Sequence, residues 1–171
     1  MSTTVSRLRW ALLPTLVLIT VFCFAADLSA QTSRSRTAVP QSETRAAAEA
    51  VSIQIKNMSR FLFVMGGVAK GIDDLDKEIN AGRASADIRA QNRQFKEDVI
   101  RSVRALRAGV VNIERDFIAK PGLRQYLTHI RGVSEESAIA EDLALEGKFN
   151  ASGRQLVLIV ERLSDLLVEL P

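Results

Sequence analysis

Between Val51 and Ile72, apolar side chains fall at Val51, Ile55, Met58, Leu62, Met65, Ala69 and Ile72, in steps of 4, 3, 4, 3, 4 and 3. A helix turns once in about 3.6 residues, so this spacing draws a single seam along one helical face. A strand would alternate in steps of two, and that alternation is missing. The chain must bury a long apolar stripe, and the partners able to cover it are other helical stripes.

Three further runs supply them. The first helix is expected over about 42–79, with Asn80-Ala81-Gly82 as its stop signal. A second run starts near Ser85, with Asp87 in its first turn and an apolar face of Ile88, Phe95, Val99, Val103, Leu106, Val110, Ile113 and Phe117. Asn92 is a polar interruption on that face, and Pro121-Gly122 ends the run. The third run is weaker: Leu123, Leu127 and Ile130 share a face, Gly132 interrupts, and Ser134-Glu135-Glu136 reads as a fresh start towards Gly147. It is expected to be kinked or broken near Gly132. The fourth run, from Leu156 through Ile159 or Val160, Leu163, Leu166 or Leu167, and Leu170, is the most apolar, with Asn150 or Ser152 as its cap. Four such helices with short connections predict an all-α, antiparallel, up-down-up-down four-helix bundle. The first two would reach roughly 50 Å and the fourth about 30 Å, and an overhang left uncovered would imply a homodimer.

The N-terminal thirty residues read as an address. Arg7 and Arg9 precede an uncharged stretch at 10–26, and Ser29-Ala30 provide a small-residue end. Residues 1–30 are therefore expected to be a secretory signal peptide, followed by a flexible polar leader at 31–42 and the helical domain at 43–171. The alternative is a membrane-tethered sensor or adaptor domain, with residues 10–26 kept as an uncleaved anchor. That stretch spans roughly 25 Å as a helix, slightly short of the hydrocarbon core, and Pro14 weakens it. Cleavage after Ala30 would remove Arg7, Arg9 and Asp27, lowering the net charge from +3 to +2, and would remove the only cysteine, Cys23, and the only tryptophan, Trp10. A mature chain of this kind offers no thiol chemistry and suits the periplasm or the extracellular space.

Several chemistries are closed to this composition. One histidine, His129, cannot supply the two Glu-x-x-His pairs of a di-iron bundle, or a His-rich zinc site. Neither a Walker-type phosphate loop nor a Gly-x-Ser-x-Gly elbow appears. A small-molecule or haem carrier using the bundle interior would draw on Met58, Met65 and His129. Both methionines also sit on the seam, where they serve as core filler, and no cofactor is expected. Tyr126 and His129 read as surface or boundary packing. Asn57-Met58-Ser59 and Asn150-Ala151-Ser152 match a glycosylation sequon that matters only in a eukaryotic secretory pathway.

Two features invite a functional reading. Gly66, Gly67 and Gly71 stand inside the first helix, where each costs about 1 kcal/mol relative to Ala. They imply close approach of another helix, a kink or break, or a gap for a ligand. The second feature is a basic stripe on the second helix: Arg89, Arg93, Lys96, Arg104 and Arg107. Residues 83–120 carry nine basic and five acidic groups, whereas 121–171 carry five basic and eight acidic. The stripe either lies against acidic neighbours within the chain, with Glu97 pairing Arg93 or Arg101, or meets an anionic partner such as a membrane surface or an acidic protein. Nucleic acid is not expected, because no aromatics interleave to stack on bases. The sequence thus predicts an exported protein that works by protein–protein or structural interaction, with a protein or its own copy as partner, and not by catalysis.

Overall fold

In the computed structural model, residues 13–171 are described, with side chains from Gln41 onward. The basic start of the export signal, and the side chains on which the signal and anchor readings rest, lie outside the described residues. The chain divides into two units, residues 1–41 and 42–171, and every core residue discussed below belongs to the second. The protein is all-α: no strand occurs among the described residues. The elements are α1 (Leu13–Asn80), α2 (Ala86–Ala119), a 3-10 turn (Pro121–Tyr126), α3 (Leu127–Ile130), α4 (Val133–Leu145) and α5 (Phe149–Glu169). Among the described residues, no helix is long and apolar enough to cross a membrane.

The seam is where burial falls. Val51, Met58, Met65, Ala69 and Ile72 of α1 join Val99, Val103, Val110 and Phe117 of α2 in one core, with Leu156, Ile159, Leu163 and Leu166 of α5 closing it. Alanines make room on α4, where Ala140 and Ala144 are fully covered. Burying each of these large side chains contributes roughly 1.5–3 kcal/mol, which offsets the entropy of fixing the chain.

Local signals set the helix ends. The backbone leaves α1 through Gly82 at φ +71°, a left-handed conformation that glycine adopts without a Cβ clash. The amides of Gly82 and Arg83 there cap the carbonyls of Ile79 and Glu78. Ser85 opens α2, its hydroxyl accepting from the Ile88 amide at 3.3 Å. α2 stops at Ala119, ahead of Pro121, and Pro121 instead starts the 3-10 turn. Gly132, at φ +88°, stands between α3 and α4. At α5 the expected caps differ. The helix begins at Phe149, and neither Asn150 nor Ser152 caps it. Gly147 turns the chain straight from α4 into α5, which frees both side chains for tertiary bonds: Asn150 donates to Asp73, and the buried Ser152 donates to the Ala140 carbonyl at 2.7 Å.

The acidic end of α1 conflicts with the helix dipole, yet α1 continues through it. Local partners explain why. Asp74 accepts from Lys70 and Lys77, and Glu78 pairs with Arg83. Asp76 accepts from Asn92 and Lys96 of α2, each at 2.7 Å.

Candidate functional site

The five basic residues of α2 do not form one free surface. Arg89 folds back onto the α2 start, donating to the carbonyls of Ala84 and Ser85. Lys96 binds Asp76 of α1. Arg104 and Arg107 converge on Glu141 of α4, each at 2.8 Å, and the Glu141 side chain is 8% exposed. Hydrogen bonds from Arg107 and then Arg104 hold its carboxyl below the ordinary glutamate range, against the opposing effect of burial. Arg93 is exposed and makes no ion pair among the described residues. Arg101 pairs with Asp98 and not with Glu97. Most of the stripe therefore fastens α2 to acids of α1 and α4.

A second polar cluster lay outside the sequence reading. Glu114, buried on α2, accepts from the backbone amides of Gly132 at 2.8 Å and Ser134 at 3.0 Å, and from the Ser134 hydroxyl. It caps the start of α4 from another helix. Burial pushes its pKa up, but the Ser134 hydroxyl, the two amides and the Arg162 charge outweigh that, and the net shift is downward. Arg162 also pairs with Glu136 and donates to the Arg131 carbonyl. Asn92, the interruption in the seam, is buried, with its amide nitrogen on Asp76 and its oxygen without a hydrogen-bond partner.

The methionines fall in the core: Met58 is fully buried and Met65 nearly so. His129 is half-buried on α3, and its side chain makes no hydrogen bond or ion pair among the described residues. No group of three or more His, Cys, Asp or Glu residues that could hold a metal ion occurs among the described residues.

What faces water on α1 and α2 is more distinctive. α1 runs helically through the three glycines. A Cβ added at Gly66, Gly67 or Gly71 would meet nothing within 4 Å. The expected close approach of another helix of the same chain is thus absent there. Instead, Gly67, Val68, Gly71 and Leu75 form one wall of an open cleft of about 470 Å³, and Phe95 of α2 stands opposite. The cleft continues past Val68 and Phe95 into a second hollow walled by Phe61, Val64 and Val99. On the same helix Phe63 projects into water with 90% of its surface exposed, and Val64, in the wall of the second hollow, with 58%. The sequence contained this surface in its glycines and in Phe63 and Val64, which lie off the seam. Set against known proteins, the chain matches no family model, no curated protein and no solved structure.

Proposed function

We propose that this chain is an exported, non-catalytic helical protein that acts by protein–protein or structural interaction, through the outward side of α1 and the adjoining cleft. The observation that carries this reading is the apolar surface of Val64, Val68 and Phe95 along the cleft, beside unfilled glycine notches, together with the projecting Phe63 on the same helix. Soluble domains rarely leave large aromatic and branched side chains grouped in water unless a partner covers them. The engagement of Lys96, Arg104 and Arg107 by internal acids favours a protein partner over an anionic membrane surface.

The architecture we assign is an antiparallel, up-down-up-down four-helix bundle, with coiled-coil-like seams and a third helix interrupted near Gly132. Three pairings support it: Gln54 with Leu106 and Asp76 with Asn92 between α1 and α2, and Ser152 with Ala140 between α5 and α4. Export is assigned from the N-terminal pattern, with cleavage after Ala30.

The test has two arms. N-terminal sequencing of the protein from its host should begin at Gln31; an intact start with residues 10–26 retained would replace export with anchoring. The native mass of the chain in host extract should exceed that of one copy, and Phe63→Ser with Val64→Ser should reduce it. A single-copy mass in extract overturns the interaction reading.

A further inference from the structure

The outward face of α1 has an ordered charge pattern. Its earlier part carries Lys56 and Arg60, both exposed and without an ion pair among the described residues. Its later part carries Asp74 and Glu78, also exposed. Midway stand the projecting Phe63 and the empty notches at Gly67 and Gly71. Successive members are three or four residues apart and so stack on one side of the helix. Read from either end, the row runs from charge through the apolar middle to the opposite charge.

We propose that a second copy of this chain docks on this face, with the two α1 helices antiparallel and a two-fold axis at Gly67. This rests on the interaction reading above and names the partner. Counting outward from Gly67, each residue meets the one equally far in the opposite direction. Phe63 lies over the partner's Gly71, Arg60 beside the partner's Asp74, and Lys56 beside the partner's Glu78. Symmetry makes every contact occur twice. A bulky ring thus faces a notch and each cation faces an anion.

The dimensions are compatible. Lys56 and Glu78 each lie eleven residues from the centre, roughly 16 Å along the axis, where helices crossing at about 20° have separated by an amount long side chains can span. The pairs that Asp74 makes with Lys70 and Lys77, and Glu78 with Arg83, are all exposed, and such pairs are each worth little. They can be shared with an incoming cation at little cost. Gly67 and Gly71, which meet nothing within 4 Å inside the fold, are explained by close contact between two copies. An unrelated partner would have no reason to match the charge order of this face to itself.

The test uses the full chain with Cys23→Ser, which removes its only cysteine. Gly67→Cys in that background, treated with a short bis-maleimide, should give a covalent dimer; Arg154→Cys, on α5, should not. Arg60→Glu should lower the dimer yield at least fivefold, Asp74→Arg should do the same, and the two together should restore it to within twofold. Far-UV circular dichroism checks that these exposed substitutions leave the helices intact. Absence of the Gly67→Cys dimer, or failure of the double reversal to restore it, overturns the assignment. If a larger native mass then persists in host extract, another partner occupies the surface and the interaction reading stands; a single-copy mass there removes both.

Discussion

Replacing Glu114 by Gln removes a buried charge while keeping the side-chain volume. In the native protein the carboxylate accepts from two amides at the start of α4 and from the Ser134 hydroxyl. Hydrogen bonds to a charged group are worth about 1.5–3 kcal/mol each. Gln keeps one acceptor oxygen, but its NH2 group confronts the other donors. Relief from burying a charge offsets part of the loss, and favourable placement at a helix start adds to it. The net expectation is a destabilisation of about 2 kcal/mol, roughly 6–10 °C in melting temperature for a domain of this size. Thermal unfolding followed by circular dichroism at neutral pH measures it. The pH dependence has a definite sign. The folded carboxyl titrates below its ordinary value of 4.5. Its contribution is therefore complete above that value and is lost as pH falls through the lower, folded one. The gap between wild type and Glu114→Gln should be flat around neutrality and narrow only at more acidic pH. A gap below about 0.5 kcal/mol at neutral pH, or one that widens on acidification, would refute the reasoning.

Other perturbations have equally definite outcomes. Glu141→Gln should cost about 1–2 kcal/mol, less in high salt, because Arg104 and Arg107 are partly exposed; urea titrations at two salt concentrations read this directly. A Cβ at Gly109 would collide with the Gln54 amide, whose nitrogen donates to the Leu106 carbonyl at 2.8 Å. Gly109→Ala should therefore destabilise the wild type by about 1 kcal/mol yet stabilise a Gln54→Ala background by a similar amount, and an additive double-mutant cycle would contradict the contact. Gly66→Ala should raise stability by about 0.5–1 kcal/mol, since the added methyl meets open space in a helix. A loss on chemical unfolding would mean that the glycine is needed inside the fold.

The seam from Val51 to Ile72 identified the buried face of α1 because helical periodicity and burial are one physical fact seen twice. Ser85 and Gly82 marked their boundaries for similarly local reasons. What escaped the sequence was what depends on distance along the chain. Glu114 caps a helix whose first amides lie about twenty residues away, across a 3-10 turn and a short helix. Its only trace was a carboxylate beside the apolar face of Val110, Ile113 and Phe117. The basic stripe was visible, but its division among Asp76, Glu141 and the backbone needed the packing. The glycines of α1 show the same limit: composition reveals that they cost helix stability, but not which way they face.

The lone polar break in the α2 seam has a consequence for how the first two helices find one another. Leucine- and valine-rich rods can slide by a heptad and still mate, since any greasy knob fits any greasy hole. Here a slip by seven residues would bring Asn92 against Ala69 and strand Asp76 and Lys96 without each other. A single amide thus acts as a key on an otherwise keyless rail, making the alternative registers of the two rods costly.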